Sequence, residues 1–113
     1  MNQRHSIKLI YIPCKNKAEA KSIGKKSIKA ALAACANIFP IDSIYLWQNQ
    51  LKEDKETILL LKTTVKKTKS LVSFVNKNHS YDIAAIISID AEVSHEYYTW
   101  MKTTLQNNCI IDL

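Results

Sequence analysis

Leu32-Ala33-Ala34-Cys35-Ala36-Asn37-Ile38-Phe39-Pro40 is where a helical pattern gives way to a strand pattern, with neither Gly nor Pro at the changeover. Upstream, Ala20, Ile23, Gly24, Ser27, Ile28, Ala31 and the Ala34-Cys35 pair recur at helical spacing and mark one small-residue face. Downstream, Ile38, Phe39, Ile41, Ile44, Tyr45 and Trp47 supply the β-branched and aromatic residues of a strand. Small side chains at such a junction let a helix end lie almost on the backbone of a sheet. The helix is predicted to start after Asn16, three residues before Glu19 as in a capping box, and to run to about Ala34. The strand is predicted from Cys35 or Ala36 to Trp47, with a bulge or bend near Pro40-Ile41-Asp42.

Working outward, residues 7–12 read as a short apolar strand stopped by Pro13. On the other side Gln48-Asn49-Gln50 reads as a hairpin turn, with Asn49 suited to positive φ. A long strand returns from Leu51 or Lys52 to Val65. Its residues 58–61 are apolar at every position, which predicts a central strand covered on both faces. Thr64 or Thr68 is placed to cap a second helix with the buried stripe Leu71, Val72, Phe74 and Val75. Residues 83–90 read as a further strand, and Ser94 as the cap of a third helix with Tyr97, Tyr98, Met101 and Leu105 inward. Asn107-Asn108 ends that helix, and Cys109-Ile110-Ile111 reads as a short edge strand.

The order β-α-β-β-α-β plus a C-terminal helix predicts an α+β fold, a ferredoxin-like split β-α-β sandwich. Its sheet is antiparallel, with two helices on one face and a long hairpin between the second and third strands. That hairpin is longer than the domain needs, and long exposed edges invite partner strands, so an oligomer is expected.

Composition narrows the class. With 113 residues the chain is expected to form one domain, and 47% hydrophobic residues with one Gly and two Pro argue against linkers or disorder. The longest apolar runs, residues 58–61 and 83–87, are far too short to span a bilayer, and residues 1–8 lack the apolar core of a signal peptide. A cytoplasmic protein is expected. Three widely spaced cysteines, Cys14, Cys35 and Cys109, fit reduced thiols better than a disulfide frame or zinc site. The net charge of +6 is almost wholly lysine, with Lys17, Lys21, Lys25 and Lys29 at i, i+4 spacing. Without arginine or interleaved aromatics, that stripe reads as the solvated side of a helix rather than a nucleic-acid face.

Copper or another divalent cation calls for two to four converging thiolate or imidazole ligands. The sequence offers His5, His79, His95 and the cysteines, scattered rather than spaced as a motif. His79, at the end of the second helix, and Cys14, just past the first strand where a thiol would be exposed, are the candidate metal ligands. Cys35 reads as a small buried residue at the helix–sheet junction. Glu56 and Lys62 lie an even number of residues apart on one strand and share a face, yet are too distant to pair. Tyr45 and Trp47 share a face as well and suit an interface core. No nucleophile–base motif, phosphate-binding glycine loop or close carboxylate pair is present, so no enzyme is expected.

Residues 32–37 followed by Ser43-Ile44-Tyr45-Leu46-Trp47, then Glu56, Leu59–Leu61, Lys62-Thr63, His79-x-Tyr81, Ile86 and Tyr98-x-Trp100, resemble the CutA family of divalent-cation tolerance proteins. The resemblance is collinear over roughly residues 7–105 and makes 1–113 a single CutA-like domain. It implies a ferredoxin-like fold, a homotrimer built through the long hairpins, a shape similar to the PII signalling proteins, and an association with copper and other divalent cations without an agreed reaction. It also implies that Tyr45, Trp47, Glu56, Lys62 and Tyr81 cluster near subunit junctions, as interface or small-ligand cleft. Departures are plain. The family's His-Pro-Tyr-x-x-Pro-Glu reads His79-Ser80-Tyr81-Asp82-Ile83-Ala84-Ala85, its Glu-Gly-Lys reads Gln48-Asn49-Gln50, and the first-strand cysteine and His pair of some bacterial members read Ile12 and Asn78-His79.

The expectation is therefore a cytoplasmic, trimeric binding or scaffold protein of divalent-cation tolerance, with weakened metal binding and an unidentified protein partner. A PII-like small-molecule sensor is the alternative, though it calls for a mobile phosphate-binding loop that the chain lacks. An RNA-binding module shares the element order, but the third strand carries no aromatic between residues 57 and 63 on which a base could stack.

Overall fold

A computed structural model describes residues 3–106. Its elements are β1 (Arg4–Cys14), α1 (Lys17–Lys29), β2 (Cys35–Trp47), β3 (Gln50–Thr64), a 3-10 turn (Val65–Lys67), α2 (Thr68–Asn78), β4 (Ile87–Ser94) and α3 (His95–Gln106). The strands form one antiparallel sheet in the order β2-β3-β1-β4, the ferredoxin-like arrangement. The reading of Cys109-Ile110-Ile111 as a strand, and of Asn107-Asn108 as a helix stop, lies outside the described residues.

α1 starts as its capping box dictates, with Asn16 Oδ1 accepting from the Glu19 N–H at 2.8 Å. It ends at Lys29 rather than near Ala34. Ala31 takes a left-handed φ of 57°, and the N–H groups of Leu32 and Ala33 turn back to the Ser27 carbonyl. Glycine usually fills this role, because a Cβ is disfavoured there. Here the Lys67 ammonium donates to the Ala31 carbonyl at 2.7 Å, and the buried Thr63 hydroxyl donates to the Leu32 carbonyl at 2.7 Å. Tertiary hydrogen bonds thus close a helix that local sequence would continue.

Alternation along the strands assigns the two faces. Ile10, Ile12, Cys14, Leu59 and Leu61 point to α1 and α2, where they pack on Ala20, Ile23, Leu71 and Val75. Ile7 and Leu9 point the other way, under Met101 and Leu105 of α3. α3 therefore lies on the sheet face opposite α1 and α2. β3 is central, with Ile58, Leu59 and Leu61 fully buried. Gly24 marks the closest approach of helix and sheet. A Cβ there would lie 3.1 Å from Leu59 Cδ1 and 3.3 Å from Ala36 Cβ.

Several boundaries differ from expectation. Pro13 does not stop β1; it pairs with Ile58 of β3. Pairing to β4 has already ended at Tyr11, so the ring nitrogen of Pro13 faces a free edge where no donor is needed. Pro40 causes no bulge either. β2 and β3 keep one register from Cys35↔Lys62 to Trp47↔Gln50, because β2 is an edge strand. Gln48 and Asn49 both have positive φ, 51° and 63°, which makes a two-residue type I′ turn. β4 runs four residues later than expected, and Ile83 is instead a loop residue, largely exposed. Neither Thr64 nor Thr68 caps a helix through its side chain, whereas Ser94 Oγ accepts from the Tyr97 N–H at 3.4 Å.

β1 pairs with β3 only over residues 57–64. Residues 50–56 of β3 and 41–47 of β2 therefore form a two-stranded arm, roughly 20 Å long at about 3.3 Å per residue.

Candidate functional site

Three groups of side chains carry the site residues picked from sequence. The first lies where the segment after α2 crosses the end of β1. Ligand atoms of Cys14, Glu19 and His79 all fall within 4.8 Å of one another. Each is already engaged. His79 closes α2 and its Nδ1 accepts from the Tyr81 N–H at 3.0 Å, which leaves Nε2 as the donor to the Pro13 carbonyl at 2.8 Å. Glu19 accepts from the Lys15 N–H through Oε1 and from the Ser80 N–H through Oε2, both at 2.9 Å. Cys14 is fully buried rather than exposed, and its thiol leans toward the Ile12 carbonyl at 3.7 Å. Burial, then the charges of Glu19 and Glu56, push that thiol up to about 12. To enter here a cation would have to displace the Cys14 thiol proton inside a fully buried site and break the hydrogen bond from His79 Nε2 to the Pro13 carbonyl. These residues do not fit a resident ion. They pin the segment carrying Ser80 and Tyr81 to β1 and α1.

Burial raises the Glu19 carboxyl, but hydrogen bonds from Ser80 and Lys15 outweigh it and hold the group below its ordinary value. A depressed carboxylate stabilises the fold above its unfolded value, and that contribution disappears as pH falls through the folded value. Stability of the wild type should therefore fall more steeply than that of Glu19→Gln below about pH 4.3. Urea unfolding between about pH 6 and pH 3 reads the difference; parallel curves would contradict the role given to Glu19.

The second group surrounds a hollow of about 510 Å³ that runs along one face of the arm from its root toward its tip, lined by Tyr45, Trp47, Asp54, Glu56, Tyr81 and Ile83 among others. The Tyr81 hydroxyl donates to Glu56 Oε2 at 2.6 Å, and the Tyr45 hydroxyl donates to Asp54. Burial first, and then the Glu56 carboxylate, raise the Tyr81 hydroxyl, so Tyr81 stays a phenol at neutral pH. The hollow combines aromatic walls with two carboxylates, each already bonded to a phenol.

Lys62 is not among its residues. It lies at the other end of β3, with its ammonium 5.6 Å from the Tyr97 ring and with Cys35 opposite it in the strand pairing. Cys35 was expected at the α1 junction. It is half-buried on the α3 side, because Ala36 and Ile38 are the residues of β2 that pack toward α1. Burial, then Cys35, raises the Tyr97 hydroxyl, and Lys62 opposes the rise. The five residues Tyr45, Trp47, Glu56, Lys62 and Tyr81 are thus four around one hollow and one far from it.

Sequence reasoning missed the second task of Glu19, the partnership of Tyr45 with Asp54, and the meeting of His5 with His95. Only the capping-box spacing of Glu19 was visible locally; Ser80 is 61 residues away.

Known proteins share both the sequence and the fold. The profile of the CutA1 divalent ion tolerance protein matches residues 8–104. A Xenopus laevis protein described as a CutA homolog is 36% identical over 98 residues, which are 85% of this chain and 65% of that protein. The chain thus spans less than two thirds of that relative's length, and 58% of the length of a human CutA to which it is 31% identical over 104 residues. A divalent-cation tolerance protein CutA of Thermotoga maritima is 36% identical over 98 residues, 86% of this chain and 97% of its own. The structure of a protein described as the periplasmic divalent cation tolerance protein CutA of Archaeoglobus fulgidus superposes with a TM-score of 0.84 at 31% identity, covering 88% of this chain and 98% of that one.

Proposed function

The chain belongs to the CutA1 divalent ion tolerance family, and on that premise we propose that it is a non-catalytic, homotrimeric binding scaffold serving divalent-cation tolerance in the cytoplasm. The observation that carries this reading is the arm. Among the described residues, 41–47 and 50–56 pair only with each other, yet Ile44, Leu46 and Leu51 on one side are 67–71% exposed, and Tyr45 and Trp47 stand out on the other. An isolated two-stranded ribbon is marginal in water. One with apolar residues on both sides is stabilised by lying against other copies of itself.

A second surface supports the same assembly. Beyond the part covered by α3, the sheet face that carries Tyr11, Phe39, Ile87 and Ile89 is open and apolar. Such a face spread over several strands marks an interaction surface. The hollow at Tyr45, Trp47, Glu56 and Tyr81 runs along the arm, and Cys35 and Lys62 lie on the same sheet face, so all six are assigned to subunit junctions. Copper or another divalent cation is then met as a loosely bound ion rather than a resident cofactor, since Cys14, Glu19 and His79 are engaged. The open sheet face is partly crossed by α3, and its central strand β3 carries no aromatic between residues 57 and 63, which disfavours base stacking and RNA. Two free thiols, Cys14 and Cys35, suit a reducing compartment. Among the described residues no helix is long and apolar enough to cross a membrane. A protein partner is the remaining requirement of a scaffold.

Fluorescence tests the reading. Trp47 is 52% exposed in the single chain. In a Trp100→Phe background its emission should be shifted to the blue and shielded from acrylamide in the native protein. A Trp47 as accessible in the native protein as in urea would overturn the assignment of the arm to an interface.

A further inference from the structure

His5 is the second residue of β1 and His95 the first of α3, and the pairings Arg4↔Ser94 and His5↔Val93 bring them together. His5 Nε2 and His95 Nδ1 are 2.9 Å apart. The His5 ring is held by stacking on Tyr98, with centroids 4.3 Å apart and planes within 6°. The two imidazoles border a hollow of about 240 Å³ with Tyr98, Thr99 and Lys102 on its walls. His95 is exposed and His5 half-buried, so an ion can reach both from solvent.

We propose that His5 and His95 form a bidentate imidazole site for a divalent transition-metal ion of the copper or nickel type. Imidazole nitrogens bind such ions at about 2.0–2.1 Å, and two cis ligands at right angles then stand about 2.9 Å apart. The separation in the fold already matches that edge of a tetragonal site. At rest one ring donates its N–H to the other. On binding, the ion takes the place of that proton, which passes through solvent to the other nitrogen of the same ring. Both rings stay neutral, each with one N–H, and no net proton is released. Water completes the coordination. Contrast with His79 supports the choice: both of its nitrogens are held by backbone groups. The proposal rests on reading the chain as a divalent-cation tolerance protein, and it supplies the contact with the cation that Cys14, Glu19 and His79 do not offer.

The test titrates Ni2+, which does not oxidise thiols, into the full-length protein by calorimetry in a non-chelating buffer at neutral pH, with mass measured in parallel. One Ni2+ per chain is expected, with affinity falling about tenfold or more in His5→Gln and in His95→Gln and unchanged in His79→Gln. Substoichiometric Cu2+ should give a tetragonal spin-resonance spectrum with two nitrogen couplings, lost in either variant. Unchanged Ni2+ affinity in both variants, or no Ni2+ binding by the wild type, would overturn the site. A trimer that binds no Ni2+ refutes the site alone. A monomer whose Ni2+ binding depends on the pair refutes the scaffold reading alone.

Discussion

Ile89→Asp should yield a folded chain that no longer assembles. Ile89 lies on β4, opposite Leu9, on the open apolar face, and is 40% exposed in the single chain. Half in water already, this position accepts an aspartate in the monomer at a cost of about 1 kcal/mol in strand preference. Covered by another copy, the same carboxylate would be buried without a partner, which costs about 3–5 kcal/mol. A homotrimer repeats that cost at each copy. Light scattering should therefore show monomer, with circular dichroism like that of the wild type. Lys25→Asp, a change of two charge units against one but on the exposed side of α1, should leave assembly intact. An Ile89→Asp protein of unchanged mass would mean that β4 faces solvent and that the interface lies elsewhere.

Gly24→Val should cost about 2–3 kcal/mol. Helix propensity argues the other way, since glycine within a helix is worse than alanine by about 1 kcal/mol. Packing decides the sign. A Cβ at this position meets Leu59 Cδ1 at 3.1 Å and Ala36 Cβ at 3.3 Å. Leu59 is fully buried, and Ala36 Cβ is fixed to the backbone of β2, so neither can rotate aside. Alanine meets both contacts, but with its Cβ alone, and offsets them through propensity, leaving a net effect near zero. Valine adds two methyls in the same gap. For a chain of this size the loss corresponds to a drop of about 10 °C in melting temperature. A Gly24→Val protein melting with the wild type would show that α1 does not lie as close to the sheet as described.

The contrast between these two positions shows what was legible in the sequence. Gly24 and the alanines around residues 31–36 announced a close helix–sheet junction, and the alternation of Tyr45 and Trp47 announced a shared face. The end of α1 was not legible. Ala30, Ala31 and Leu32 are good helix formers, and the stop comes from Ala31 turning left-handed under the Lys67 ammonium and Thr63 hydroxyl, both more than thirty residues on. Pro13 and Pro40 misled for a related reason. A proline breaks pairing only on the side where its nitrogen faces a neighbour, and which side is free depends on the sheet order. The start of β4 was hidden by the apolar run 83–87, only the last residue of which joins the strand.

The candidate site was legible in parts. Tyr45, Trp47, Glu56 and Tyr81 do come together, because strand parity and the segment after α2 bring them to one end of the sheet. Parity also put Lys62 on the face of Glu56, but six residues of extended strand keep them roughly 20 Å apart. The two cysteines exchanged places relative to expectation. One residue of phase at the start of β2 decides whether Cys35 or Ala36 meets α1, and the narrow gap beside Gly24 admits only the alanine. His79 looked like a ligand because its backbone partners, Pro13 and Tyr81, cannot be read from sequence.

Assembly is the central claim, and sedimentation equilibrium of the wild-type protein at micromolar concentration tests it most directly. A mass three times the chain mass of 12.9 kDa, stable on dilution, is the result predicted. A species of 12.9 kDa with a folded spectrum would contradict it, since the arm and the open sheet face would then stand in water unsupported.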